Sequence, residues 1–116
     1  MPIFEEDYRY YPLMKPIIVN GYEFKEIIIS SHYEENHKYL TDKDILEIVQ
    51  QLNNENFDFH RERETNGCKW QNFFHEPLFY QNKAYRLVWY WEIGKPQLWI
   101  LNCFRRKKYD KYYGKQ

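Results

Sequence analysis

The sequence predicts an α+β domain: an antiparallel sheet of four to five strands with two helices, both from the N-terminal half, packed on one face. Two aromatic and β-branched runs flank the Gly-Lys-Pro turn signal at 94–96, which is typical of a β-hairpin. Apolar residues recur at helical spacing between residues 45 and 52. The remaining strand signals lie before and after this segment, and such segregation of helices and strands is typical of α+β folds.

Residues 1–16 are predicted to form an N-terminal arm, because three prolines in this segment oppose regular structure. Residues 17–116 are then predicted to be a single α+β domain. Its first element is a short hairpin, because Asn20-Gly21 supplies the positive φ angles of a tight type I′ turn. Residues 26–30 extend the second strand of that hairpin.

Two helices are predicted next. Ser30 or Ser31 can cap the first, which covers about residues 31–38. Thr41 caps the second, and Asp44 stands three residues later, where it completes a capping box. One kinked helix is the alternative. The apolar stripe of the second helix is formed by Ile45, Ile48, Val49 and Leu52.

The segment 53–69 is polar without a clean period, so a long loop or an irregular strand is predicted there. The alternating charges at 61–64 indicate a solvated face. Residues 77–80 are predicted as a strand and 81–83 as a turn that leads into the main hairpin. Residues 109–113 are expected to close as a helical turn or to fray.

The main hairpin covers residues 85–106, and a four-residue loop would set its register. That register places Tyr90 opposite Trp99 and Arg86 opposite Cys103. Both faces of the hairpin are largely apolar, so we expect a central position in the sheet, covered on at least one side.

The composition predicts one globular domain in the cytoplasm. Aromatic residues make up 21% of the 116 residues, which argues against disorder. No apolar run approaches the roughly 20 residues of a membrane span, so no membrane association is expected. The acidic N-terminus does not resemble a secretory signal. Two cysteines are too few for a disulfide framework and are expected to be reduced, unless the chain is a piece of something larger.

The net charge is zero, but the charges are unevenly distributed. Residues 1–76 carry 15 acids and 8 bases, whereas residues 77–116 carry 2 acids and 9 bases. Such asymmetry can mark an end of the chain that binds a polyanion. The alternative is that the basic residues only solubilise an apolar hairpin.

Several kinds of catalytic site find no support in the sequence. His32 and His37 stand five residues apart and do not form the H-E-x-x-H zinc motif, so neither a metal nor another cofactor is expected. Cys103 lies in a predicted strand, where a buried thiol is usual, and no base is assigned to Cys68. The chain has no Gly-rich phosphate loop and no G-x-S-x-G motif.

The remaining polar residues suit metal-independent cleavage of RNA, which needs a base, an acid and a cation beside the phosphate. We expect His32 to act as acid or base, because histidine titrates near neutrality and this one lies at a predicted helix start. Arg86 and Arg105 are expected to hold the phosphate through their planar guanidinium groups. The residues expected to bind RNA outside the reacting centre are Arg106, Lys107, Lys108, Tyr109 and Tyr112.

Each of these residues also has a structural interpretation. A lone histidine near a helix cap is often structural, and a basic tail can be merely solvated. An unpaired guanidinium inside a hairpin is costly, so Arg86 is expected to face either a cleft or a carboxylate. Glu76 and Glu92 are the carboxylates that could pair with it.

Two segments resemble small bacterial toxins. The run Ile27-Ile-Ile-Ser-Ser-His32, followed by the helical segment 39–49, looks like the opening of a family of small bacterial proteins related to BrnT toxins. Residues 85–90 and 98–106 are similar to the sheet of RelE-like toxins, which belong to the barnase–colicin–RelE class of ribonucleases. The resemblance implies ribonuclease activity, His32, Arg86 and Arg105 as site residues, and a cognate antitoxin or immunity protein as partner.

Two other functions remain open at this point. The first is a non-catalytic inhibitor, such as an immunity protein, an antitoxin or a phage-encoded inhibitor, which needs aromatic anchors and complementary charge but no catalytic base. The second is a nucleic-acid-binding module without catalytic activity, built on the basic tail.

Overall fold

The structure is a computed structural model, and it describes residues 7–35 and 40–114. Six strands form one mixed sheet in the order β1-β2-β6-β5-β4-β3. Their bounds are β1 Tyr8–Val19, β2 Tyr22–Ser30, β3 Arg61–Thr65, β4 Cys68–Tyr80, β5 Lys83–Glu92 and β6 Gln97–Arg105. The helical elements are α1, Asp42–Val49, and the 3₁₀ segments Ser31–Glu35, Gln50–Leu52 and Lys107–Tyr112.

The predicted architecture is wrong in two respects, although the α+β division broadly fits. The sheet has six strands rather than four or five, and it is mixed because β2 and β6 run parallel. One α-helix is present among the described residues rather than two. The first predicted helix is a 3₁₀ turn over residues 31–35, and its residues 36–38 lie outside the described residues.

The parallel pair explains the continuous apolar run in β2. Ile27, Ile28 and Ile29 are each at most 2% exposed, so this strand is covered on both faces. β1 pairs with one edge of β2, and β6 occupies the other edge with Ile28 opposite Trp99. Parallel strands are usually buried in this way, and their sequences read as apolar runs instead of alternating.

The predicted second helix is confirmed as α1. Thr41 accepts a hydrogen bond from the backbone N–H of Asp44, and the Asp44 carboxylate accepts one from the backbone of Thr41, which completes the capping box. The predicted stripe, which ends in Leu52, is fully buried. α1 therefore packs on one face of the sheet, called the helix face here. The core residues of this face include Ile17, Phe24, Ile27, Ile29, Phe73, Leu87, Trp89, Leu98 and Ile100.

Left-handed turns connect the antiparallel strands. The predicted Asn20-Gly21 turn between β1 and β2 is confirmed, with φ angles of 55° and 73°. Asn66-Gly67 adopts the same conformation between β3 and β4, with φ angles of 51° and 80°. Of the two alternatives predicted for residues 53–69, a long loop or an irregular strand, the strand is found at residues 61–65, which are fully exposed on the sheet edge.

The main hairpin lies at the centre of the sheet, as predicted, but its register changes midway. Tyr90 is opposite Trp99 as expected. A bulge then shifts the pairing by one residue, so Arg86 lies opposite Phe104 instead of Cys103. The shift turns the Cys103 side chain into the core beside Leu87, where it is fully buried.

The part of the predicted arm that the structure describes is mostly strand. Residues 8–16 belong to β1, with an irregularity in the pairing between Pro12 and Ile17. Proline is tolerated at such a place because β1 is an edge strand and an irregular segment leaves backbone donors unpaired anyway. No helix among the described residues is long and apolar enough to cross a membrane.

Asp42 ties α1 to the first strand. Arg9 of β1 donates hydrogen bonds to both carboxylate oxygens of Asp42, from Nε at 2.5 Å and from Nη2 at 2.7 Å. The hydroxyl groups of Tyr11 and Tyr33 also donate to this carboxylate. Burial alone would raise the pKa of Asp42, but the hydrogen bonds outweigh burial and lower it to about 2.

His75 is an uncharged polar group packed against the core. Trp89 donates a hydrogen bond from Nε1 to Nε2 of His75 at 2.8 Å, which requires that this nitrogen carry no proton. The ring of Phe57 lies 4.1 Å from the imidazole, centroid to centroid. Burial lowers the pKa of His75 to about 4.

The free energy of unfolding should fall as the pH is lowered from about 6.5 to about 4. In this range His75 binds a proton in the unfolded chain but not in the folded protein. Above this range the contribution is complete. His75→Gln retains an oxygen that can accept from Trp89 and should lose most of this pH dependence. Urea denaturation at several pH values measures both slopes, and equal slopes in the two proteins would contradict the assignment.

Candidate functional site

The second face of the sheet carries no helix of the described residues and is called the open face here. Strand pairing defines it, because directly paired residues lie on the same side of a sheet. One register row crosses all six strands through Arg61, Asn72, Tyr90, Trp99, Ile28 and Tyr10. Other positions on the open face include Tyr8, Glu26, Arg63, Trp70, Phe74, Arg86, Glu92, Asn102 and Phe104.

Aromatic rings form a continuous cluster on the β1 side of the open face. The ring of Trp99 lies 5.4 Å from Tyr8, 6.5 Å from Tyr10 and 6.1 Å from Trp70, centroid to centroid, in edge-to-face contacts. Such contacts stabilise aromatic pairs beyond the burial of their area. Tyr10 remains 57% exposed, so one ring of the cluster is available to a ligand.

Arg86 lies on the open face near the start of β5, away from the aromatic cluster. Its guanidinium carbon lies 4.2 Å from the Phe74 ring centroid and 5.8 Å from that of Phe104, a cation–π arrangement. No described carboxylate forms an ion pair with Arg86. Glu76 pairs with Arg106 at 2.7 Å instead, and Glu92 forms no ion pair with Arg86 or Arg106. Nε of Arg86 is buried and has no hydrogen-bond partner among the described residues. A cation in this state is suited to an added anion.

The edge strand β3 separates its charges by face. Arg61 and Arg63 lie on the open face, opposite Asn72 and Trp70, and the Arg63 guanidinium lies 6.0 Å from the Tyr90 ring centroid. Glu62 points to the helix side, where it accepts a hydrogen bond from Gln71. The charged residues that β3 contributes to the open face are therefore all positive, although the alternating sequence predicts only a solvated face. The contacts of Glu62 are Gln71 Nε2 at 2.9 Å and Lys69 Nζ at 3.9 Å.

His32 lies at the same end of the sheet as Arg86. His32 follows the end of β2. Because β6 is parallel to β2 and β5 is antiparallel to β6, the end of β2 lies at the same edge as the end of β6 and the start of β5, where Arg86 is found. The 3₁₀ turn of His32 contacts β6, which separates β2 from β5. Nδ1 of His32 is 3.6 Å from a carboxylate oxygen of Glu35, and the side chain is 36% exposed.

The other predicted phosphate ligands are already paired with carboxylates. Arg105 donates from Nη1 and Nη2 to the two oxygens of Asp110, each at 2.8 Å, and its guanidinium lies near Tyr85. This pairing lowers the pKa of Asp110 to about 2. Arg106 pairs with Glu76. Of the predicted tail residues, Lys107, Lys108 and Tyr112 are exposed, and the Lys108 amine lies 5.2 Å from the Tyr109 ring centroid.

The thiols and acids of the described residues offer no second reactive centre. Cys103 is fully buried, and burial raises its pKa to about 12, so it stays a neutral thiol. A hydrogen bond to Glu92 raises the pKa of Cys68. In the described part of the chain, no group of three or more histidine, cysteine or acidic residues has the arrangement of a metal site.

The sequence predicts Arg86 as a site residue but not the rings of Phe74 and Phe104 against which it packs, nor the arginines of β3 on the same face. The predicted solvated face at residues 61–64 is confirmed, because β3 is exposed along its whole length. The Asn66-Gly67 turn signal is the pattern that would place these residues in a hairpin, with the arginines on one side of the strand. The pairing of Arg105 with Asp110 carries a weak signal, because the acid stands five residues later in a segment predicted only as a possible turn.

The open face thus presents flat rings and planar cations on a rigid sheet. Rings of this kind stack on other planar groups, and guanidinium groups bind phosphate or carboxylate through paired hydrogen bonds. The arrangement is suited to a ligand that carries both planar and anionic groups. No protein-family model, no curated protein and no solved structure matches this chain.

Proposed function

We propose that this protein is a ribonuclease of the toxin type, which binds RNA on the open face and cleaves it without a metal. The observation that carries the proposal is the Arg86 guanidinium, which stacks on Phe74 and forms no ion pair with a described residue. It lies at the end of the sheet where His32 follows β2. Phosphate is a favourable partner for such a group, because its oxygens match the guanidinium donors.

The proposed reaction needs only protein side chains. A base removes the proton of a ribose 2′-OH, and the 2′-oxygen attacks the adjacent phosphorus while the bond to the 5′-oxygen breaks. The leaving oxygen takes a proton, so the products end in a 2′,3′-cyclic phosphate and a 5′-hydroxyl. We assign one of the proton transfers to His32, whose Nδ1 lies 3.6 Å from a carboxylate oxygen of Glu35, and the stabilisation of the phosphate to Arg86.

Arg105 and the basic tail have a secondary place in this proposal. Arg105 can hold a phosphate only after Asp110 has released it, because both of its terminal nitrogens are engaged. Lys107 and Lys108 are exposed and are assigned to the RNA backbone. We further propose a bacterial cytoplasmic setting, with a cognate antitoxin or immunity protein that covers the open face, as the resemblance to RelE-like and BrnT-like toxins implies.

Purified protein incubated with tRNA or mRNA in EDTA should produce fragments that end in a 2′,3′-cyclic phosphate. His32→Ala should lower the rate by about 10²- to 10⁴-fold, the usual contribution of general acid–base catalysis. The variant, purified in parallel, also reports any contaminating nuclease. Equal cleavage by the two proteins would remove His32 from the mechanism, and no cleavage by the wild type on RNA or ribosomes would overturn the proposal.

The second candidate is the non-catalytic inhibitor. Trp, Tyr and Arg on the open face are also the residues that dominate binding energy at protein interfaces. An inhibitor would be tolerated by cells that produce it alone and would capture a protein from lysate, whereas a ribonuclease would impair such cells. His32→Ala should relieve that impairment only in the ribonuclease case.

A further inference from the structure

We infer that the open face holds a single strand of RNA across the sheet, along the register row from Arg61 on the edge strand β3 to Tyr10 on β1, with Arg86 on one flank of that row. The inference rests on the proposed function and extends it, because it assigns a binding path outside the reacting centre. It depends on three observations: the sorting of charge on β3, the register row of aromatic residues, and the position of the acids on this face.

The first observation is that β3 presents only its arginines to the open face. Arg61 is exposed and forms no ion pair with a described residue, and Arg63 lies over the Tyr90 ring. Glu62 is turned to the opposite side by the strand alternation. Arg61 therefore adds positive charge at the sheet edge to that which Arg86 provides at the end of the sheet, whereas Arg63 stands in the neighbouring row with Trp70 and Glu92.

The second observation is the row that links these arginines to the aromatic cluster. Arg61, Tyr90, Trp99 and Tyr10 stand in the same register row, and Tyr10 is largely exposed. A row across six strands spans about 24 Å at the usual strand spacing. This length suits a segment of about four nucleotides, the lower end of single-strand site sizes.

The third observation concerns the acids of the open face. Glu26 and Glu92 stand in the neighbouring row, on the side of Trp99 away from Arg86. Phosphates are repelled from that row, so the sugar–phosphate backbone is placed on the side of the Arg61–Tyr10 row that faces Arg86. Single-stranded rather than double-stranded RNA is assigned, because only unpaired bases can stack on rings that stand on a sheet.

The test uses a fluorescein-labelled 2′-O-methyl oligouridylate of about 12 nucleotides, which cannot be cleaved because its 2′-oxygen carries no proton. Fluorescence anisotropy in EDTA gives the Kd for the wild-type protein. Arg61→Glu should raise the Kd about tenfold or more. It should also lower the slope of log Kd against log salt concentration by about one, the effect of one lost phosphate contact. Tyr10→Ala should raise the Kd at least about threefold, because one stacking partner is lost.

Lys69→Glu is the matched control, since Lys69 pairs with Glu62 on the opposite face of the same hairpin and the change in charge is the same. It should change the Kd less than about twofold. Equal losses for Arg61→Glu and Lys69→Glu, equal affinity for a duplex of the same length, or no saturable binding would overturn the inference. Because the probe is not cleaved, intact binding without any nuclease activity would overturn the proposed function alone.

Discussion

Replacing Arg86 with alanine is expected to abolish RNA cleavage and to leave the fold intact. The guanidinium is the group that would neutralise the crowded phosphate, and removal of one such group commonly lowers the rate by about 10²- to 10³-fold. The contacts with Phe74 and Phe104 contribute about 1–2 kcal/mol to stability, because the guanidinium is partly desolvated between the two rings. Cleavage assays and thermal unfolding measure the two effects separately.

Two further variants sharpen this test. Arg86→Lys keeps the charge but loses the planar donors, so it should recover only a small part of the activity. Lys83→Ala, an exposed residue in the first position of the same strand, should leave both activity and melting temperature unchanged. If Arg86→Ala lowered the melting temperature by about 10 °C or more, Arg86 would be a structural residue instead.

The largest loss of stability is expected for Asp42→Asn. The neutral amide cannot accept both Arg9 hydrogen bonds, so the guanidinium and two tyrosine hydroxyls lose their shared acceptor. The Asp42 side chain is only 14% exposed, and loss of one member of such a network costs roughly 2–4 kcal/mol. The melting temperature should fall by about 8–16 °C, and Asp58→Asn in the exposed loop is the control.

The acid limb of the stability profile provides an independent measurement of the same network. The pKa of Asp42 is lowered to about 2, so its contribution is complete above its unfolded pKa of about 3.8 and is lost as the pH falls toward 2. Asp42→Asn should flatten this limb of the urea denaturation profile. Unchanged acid sensitivity in the variant would show that Asp42 is not the group that titrates.

Local signals predicted the elements that depend on neighbouring residues. The capping box of Thr41 and Asp44 begins α1, and Asn20-Gly21 makes the first turn, because both act over three or four residues. The central hairpin was predicted for the same reason. Its register was correct only as far as Trp89, because the bulge that follows inserts one extra residue in β6 and places Cys103 in the core, and local patterns do not mark that position.

The features that depend on distant parts of the chain were not predicted. The pairing of Glu26–Ile29 with Gln97–Ile100 joins residues about 70 positions apart, and the sequence of neither segment indicates which strand it pairs with. The same limit applies to the candidate site. Arg86 was predicted from its own unusual place in a strand, but Phe74 contacts it only because β4 pairs with β5, and Arg61 shares its face only through the order of the strands.

The parallel pair also constrains the order in which the chain can fold. The first hairpin joins the rest of the sheet through β6, which follows the other five described strands along the chain, so the two parts of the sheet stay unpaired until residues 97–100 are available. During synthesis the apolar edge of β2 has no partner, and such an edge invites pairing with other chains. This exposure lasts until residues 97–100 have left the ribosome, about 70 residues after β2 itself.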